Sequence, residues 1–275
     1  MDLNTITSVA RPHSRAELPV WTAGDAWLAG GTWLFSEPQV HLTRLIDLTD
    51  LKWPALTVTD TALSIAATCT IAQLDALACP PDWLASPLIN KCCRAFLASF
   101  KIWKTATVGG NLCMSLPAGP MISLASALDG VCTIWQADGG ERKVSAADFV
   151  TGNQRNVLKP DDLLRQIDLP LTALRRRSAL RQISLTPIGR SAALLIGSVA
   201  SVGAFLLTVT ASTKRPIRLF FAKIPEADEL REAILARIAD DLYHDDVHGK
   251  PEWRKHMTLR LAEEIRSELA DTGRP

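Results

Sequence analysis

Ala29-Gly30-Gly31-Thr32-Trp33-Leu34 and, further on, Thr107-Val108-Gly109-Gly110-Asn111-Leu112 are the two stretches that decide how this chain of 275 residues is read. Glycine adopts positive φ at little cost and lets another backbone or a ligand approach closely. Successive backbone N–H groups in such a turn form a concave nest for anions, phosphate oxygens among them. Thr32 can add a hydroxyl and Asn111 an amide. Two nests facing one another across a cleft suit a pyrophosphate with its adjoining ribose and ring. Neither stretch is the G-x-G-x-x-G of a Rossmann turn, and no P-loop lysine accompanies them. A single Gly-Gly reads as an ordinary turn, so the meaning of the pair rests on the flanks.

Upstream of the second stretch, short strands alternate with turns. Leu42, Ile46 and Leu48 fall on one side of a strand, and apolar strands follow at 55–59 and 63–67. Thr70 with Gln73 at the third helical position spells a capping box, which predicts a helix from Ile71. Residues 86–103 read as helix, 105–120 as a polar, turn-rich loop, and 121–130 as helix. The segment 132–149 predicts a hairpin turning at Asp138-Gly139 or Gly139-Gly140, and 163–170 a strand stopped by Pro170. Arg175-Arg176-Arg177 marks a change of composition, read as a domain boundary with a solvated linker. Strands are expected near 179–185, 192–200, 203–210 and 216–222. Two closing helices are expected near 226–242 and 252–270, with Leu230, Ile234, Ile238 and Leu242 on one face of the first. Trp253, Met257, Leu261, Ile265 and Leu269 share one face of the second. Ala192 to Ala211 carries no charge over 20 residues, the minimum for a membrane span. Its Ser, Thr, Gly and Val content and the break near Ser201–Gly203 predict two buried strands instead.

The bulk properties narrow the function. Thirty basic residues against 29 acidic ones leave no basic stripe for nucleic acid. Cys69, Cys79, Cys92, Cys93, Cys113 and Cys132 contain no C-x-x-C and no zinc or iron–sulfur spacing, so six free thiols in a reducing compartment are expected. The N-terminus lacks an apolar secretory core, which points to the cytoplasm. His244 and His248, with Asp245 and Asp246 between them, read as an exposed turn rather than a metal site. No metal ligands and no catalytic acid or base are assigned. Trp27 and Trp33 flank the first glycine turn, where they can shield a cleft, while Trp103 and Trp135 read as core.

With these flanks the chain resembles the FAD-binding medium subunits and FAD domains of the molybdenum-containing hydroxylases, a family that includes xanthine dehydrogenase and carbon monoxide dehydrogenase. AGGTWL at 29–34 is similar to the family's A-G-G-T-D-L, with Trp33 in place of aspartate. TVGGNL at 107–112 and SLPAGP at 115–120 are similar to T-I-G-G-N-L and S-P-A-G-D, with Pro120 in place of aspartate. Residues 140–170 and 248–265 resemble later family segments, Trp253 taking an aromatic place. The resemblance implies an α+β fold: a two-part FAD-binding region of the PCMH type, with a small and a larger α/β subdomain, then a C-terminal domain of antiparallel sheet and helices. The divisions expected are 1–60, 61–173 and 174–275. It implies that Gly30, Gly31 and Thr32 hold the FAD pyrophosphate, with Leu28, Ala29 and Trp33 lining that loop. The resemblance likewise implies that Thr107, Gly109, Gly110 and Asn111 form the opposing loop. Ser115, Ala118 and Gly119 run past phosphates and ribose, and Asp162, Leu163 and Leu164 pass near one end of the cofactor.

The same resemblance implies the partners. A large subunit would carry the molybdenum cofactor and the substrate site, and a small one two [2Fe–2S] clusters. The whole would be a heterotrimer or a dimer of heterotrimers, with this chain relaying electrons to an external acceptor. The alternatives are a stand-alone FAD-dependent oxidase or reductase and a flavin-free structural subunit. No membrane span is expected.

Overall fold

Residues 3–271 are described in the computed structural model. Three sheets follow one another along the chain. β1 (Ser8–Ala10), β2 (Asp25–Leu28) and β3 (Arg44–Asp47) form a small parallel sheet in the order β1-β3-β2. Its central strand buries Leu45 and Ile46. β4 (Leu56–Val58) and β5 (Ala62–Ala66) already belong to the next sheet, where β4 pairs with β5. The change of sheet therefore falls before Leu56, ahead of the division expected at residue 60.

The second unit continues through α1 (Ile71–Asp75), α2 (Pro87–Ala95), α3 (Phe100–Trp103), α4 (Val108–Met114) and α5 (Pro120–Ala127). Then come β6 (Val131–Trp135), β7 (Glu141–Ser145), α6 (Ala146–Phe149), β8 (Val150–Gly152), β9 (Arg155–Asn156) and β10 (Leu163–Pro170). The main sheet has the order β4-β5-β10-β6-β7, and every pairing in it is antiparallel. The capping box at Thr70 forms as expected, with Thr70 Oγ1 accepting from Gln73 N at 3.2 Å. The single helix expected over 86–103 is two, broken between Ala95 and Phe100. The stretch expected to be a loop at 105–120 contains α4, started by Thr107, whose hydroxyl accepts from Gly110 N at 3.0 Å. Capping outweighs the two glycines in the first turn.

After α7 (Leu171–Leu174), the meander β11 (Arg177–Ile183), β12 (Ala193–Val199), β13 (Phe205–Thr210) and β14 (Ile217–Phe221) makes the third sheet. α8 (Ala227–Arg237) and α9 (Pro251–Asp271) close the chain, the first helix stopping sooner than the periodicity suggests. Every residue of β12 and β13 is buried. Alternation explains this: Leu194 and Ile196 pack into the core of the second unit, against α5, while Ala193, Leu195 and Val199 face Leu261, Ile265 and Leu269 of α9. The uncharged 192–211 segment is thus a hairpin covered on both faces. Among the described residues no helix is long and apolar enough to cross a membrane.

The arginine run is not a solvated linker. Arg175 meets Asp82 at 2.8 Å, Arg176 meets Asp129 at 2.5 Å, and Arg177 opens β11. Asp129 also receives Arg218 of β14, which ties the third sheet to the second unit. All six cysteines are free thiols.

Candidate functional site

The small sheet leans on the second unit through specific contacts. Leu48 and Leu51 pack with Leu163, and Trp27 donates its indole N–H to the Asp162 carbonyl at 3.0 Å. Arg15 donates to the carbonyls of Gly139 and Gly140 at 2.9 and 2.5 Å and lies over the Trp135 ring. Between the two units opens a cleft of about 950 Å³, within the size range of sites for drug-sized ligands.

The 29–34 loop leaves β2 and forms one wall. Gly31 has φ of +67°, the left-handed region that favours glycine. Gly30 allows a contact between backbones: a Cβ there would stand 1.9 Å from the Thr105 carbonyl oxygen. The consequence is a run of donors. The backbone N–H groups of Gly30, Gly31, Thr32, Trp33 and Leu34 have no acceptor among the described residues. The next amides along, Phe35 and Ser36, turn back to the Gly31 and Trp33 carbonyls.

The 107–120 segment forms the facing wall but is not a second nest. Val108 N donates to Cys69 O at 2.8 Å, Gly109 N to Ala67 O at 3.0 Å, and Asn111 N to Thr107 O at 3.0 Å. With Gly110 N taken by Thr107, all four amides are satisfied within the protein. Gly109 serves packing, since a Cβ would come within 2.7 Å of the Ala67 backbone. Asn111 Oδ1 accepts from Met121 N at 3.1 Å, which leaves its NH₂ group as the polar end available to the cleft. Pro120 occupies the first turn of α5, where a missing N–H costs nothing.

Of the residues singled out from sequence, Ala29, Gly30, Gly31, Thr32, Trp33, Thr107, Gly110, Asn111, Ala118 and Gly119 line the cleft together. Leu28, Gly109, Ser115, Asp162, Leu163 and Leu164 are not among its lining residues. Ser115 is buried with φ of +52° and closes α4 through its hydroxyl, 2.9 Å from Leu112 O. Asp162 is buried against Arg142 at 2.8 Å, and Leu163 and Leu164 are core residues of β10. The cleft also takes Trp21, Gln39, His41, Phe96 and Ile102, and Ile188, Arg190 and His248 from loops around the third sheet. Nothing local marks these; they arrive from loops of separate elements. The turn expected to be exposed around His244 and His248 is only partly so.

The electrostatics favour an anion. Among the described residues Asp25 is the only carboxylate in the lining, and Arg44 neutralises it with a two-pronged contact at 2.8 and 2.5 Å. Those bonds hold the Asp25 carboxyl below the usual carboxylate range despite its burial. Burial pushes the Cys113 thiol up to about 12, so it is uncharged at neutral pH. Among the described residues no group of His, Cys, Asp or Glu could hold a metal ion. A flavin dinucleotide fits these residues: free amides for a pyrophosphate, Trp21, Trp27, Trp33 and Phe96 for aromatic rings, and no unpaired negative charge.

Comparison with known proteins agrees with this geometry. Residues 8–172 match the family described as the FAD binding domain in molybdopterin dehydrogenase. Over 85 residues the chain is 32% identical to caffeine dehydrogenase subunit beta of Pseudomonas sp. (strain CBB1), a stretch covering 31% of this chain and only 28% of that one. Its structure is similar to reconstituted carbon monoxide dehydrogenase from Oligotropha carboxidovorans, with a TM-score of 0.78 and 20% identity over 97% of this chain and 99% of that one. It is also similar to quinoline 2-oxidoreductase from Pseudomonas putida 86, with a TM-score of 0.74 and 18% identity over 98% of this chain and 99% of that one. At such identities the likeness is one of fold, and it is the PCMH-type fold expected from the sequence.

Proposed function

Because the chain belongs to the family of FAD binding domains in molybdopterin dehydrogenases, we propose that it is the flavin-binding electron-transfer subunit of a molybdenum-containing hydroxylase. In this reading it takes electrons from [2Fe–2S] clusters on a small partner and delivers them to an external acceptor, while a large molybdenum subunit handles the substrate. The observation that carries the reading is the run of five unpaired amides, 30–34, opening on a cleft whose single carboxylate is neutralised.

A bound FAD supplies an exchanger between single electrons and electron pairs, and the protein supplies binding, orientation and tuning. The 30–34 amides would hold the pyrophosphate, in a loop shaped by the Gly31 turn and the Gly30–Thr105 contact. Thr32 Oγ1 and the Asn111 side-chain NH₂ add donors from opposite walls. Trp27, held by Asp162 and packed 4.9 Å from Trp21 between ring centroids, presents a braced aromatic surface to the cleft. Gly109, Ser115 and Asp162 would act indirectly, through the packing of Ala67, the end of α4 and the indole of Trp27.

The test is to purify the chain with whatever accompanies it, record the visible spectrum, and identify the cofactor released on denaturation. Stoichiometric FAD together with iron–sulfur absorbance and a large and a small partner is the expected result. FAD on an isolated chain that turns over substrate by itself would replace this reading with a stand-alone flavoenzyme. An intact complex without flavin would reduce the chain to a scaffold.

A further inference from the structure

The C-terminal part of the chain, which the family match at 8–172 does not reach, contributes two donors to the cleft, Arg190 and His248. Arg190 is exposed, lines the cleft, and is engaged by no hydrogen bond or ion pair among the described residues. His248 stands on a turn whose backbone is fixed by His248 N donating to Asp246 Oδ1 at 2.9 Å. The loops that carry them converge on one buried residue, Arg254 of α9, which is 1% exposed. Its guanidinium donates to Ala192 O at 2.5 Å and to Gly249 O at 2.9 Å, and also reaches Ala211 O and the Asp246 carboxylate. Ala192 lies two residues beyond Arg190, and Gly249 is the residue after His248. A single buried cation therefore sets both loops relative to each other. An arginine spent wholly on main-chain carbonyls and one carboxylate, holding the loop that carries a second, free arginine into a cleft, is a preorganised arrangement.

We propose that Arg190, which shares the cleft lining with His248, is a positioning residue for negative charge on the bound dinucleotide, so that the C-terminal part of the chain completes the cofactor site. The inference rests on the flavin reading above. The charge can come from the pyrophosphate or from the reduced flavin ring, and the two sources give different signatures. A guanidinium on phosphate raises affinity and makes it dependent on salt. A cation beside the ring stabilises the reduced anion and raises the potential.

The experiment uses the full chain stripped of flavin, with FAD itself as probe. It measures the dissociation constant by fluorescence at several salt concentrations, and the potential of the bound flavin by equilibrium titration. Arg190→Gln is expected to weaken binding about ten-fold to a hundred-fold, the range of a lost charged hydrogen bond, with a flatter salt dependence. If the charge lies on the ring, the potential falls instead and affinity changes little. Arg190→Lys should restore either effect in part, which a merely structural role would not do. Wild-type chain that binds no FAD would remove the flavin reading itself. Wild-type chain that binds FAD while Arg190→Gln matches it in affinity, salt dependence and potential would overturn this inference alone.

Discussion

Asp25 illustrates how a single residue near the cleft can be present without acting there. Its carboxylate lines the space where an anion is expected, yet Arg44 and the Thr22 amide occupy it. Because Arg44 depresses the folded pKa, the stabilisation from this pair is fully present above the ordinary carboxylate value, about 3.9, and is lost as pH falls through the lower folded value. Urea midpoints measured from pH 7 downwards should hold steady and then drop below that ordinary value. Asp25→Asn should lower the midpoint at neutral pH and make the acid drop shallower; an unchanged acid limb would mean that the pair carries no linkage. The residues that could be read from sequence were those doing a backbone job. Gly30 and Gly31 stood out because close approach and positive φ leave a signature in residue type. Arg190 and His248 had none, since an exposed arginine in a loop looks the same whether it faces solvent or a cleft.

At the scale of elements, periodicity and capping were legible, and tertiary sharing of backbone donors was not. The strand at 163–170 and the capping box at Thr70 follow from local pattern. The second glycine pair offers no free nest because Gly109 N is spent on Ala67 O, in another segment, and Gly110 N on the capping hydroxyl of Thr107. Helix α8 ends early for a related reason: the Ile238 side chain stays in the apolar core after the backbone has left helical geometry. At one close junction between elements, Gly197 on β12, an added Cβ would lie 2.3 Å from Ile265 Cγ2 on α9. Both partners are buried elements, so the helix has nowhere easy to go. Gly197→Ala should cost about 1–3 kcal/mol in denaturant unfolding, the usual range for overpacking. A variant as stable as wild type would mean that α9 slides on the sheet without penalty.

For the whole molecule, the three sheets share cores rather than abutting as separate bodies. One face of β12 belongs to the core of the second unit and the other to the C-terminal core, and Asp129 binds arginines from both sides of the junction. Such interleaving favours one cooperative transition. Saturating FAD, at about a hundred times its dissociation constant, should raise stability by about 2.7 kcal/mol. That rise should appear in probes of all three sheets at once. A melt in which the third sheet ignores FAD would separate it from the cofactor site. The position of Arg254 also has a consequence in time. Chains leave the ribosome N-terminus first, so both glycine segments are exposed to the cell well before the residue that ties down the third wall has been made. The cleft can reach its finished shape only when the last helix has emerged and folded back. A cleft with all its walls in place is therefore a late product of the chain, later than either glycine segment that lines it.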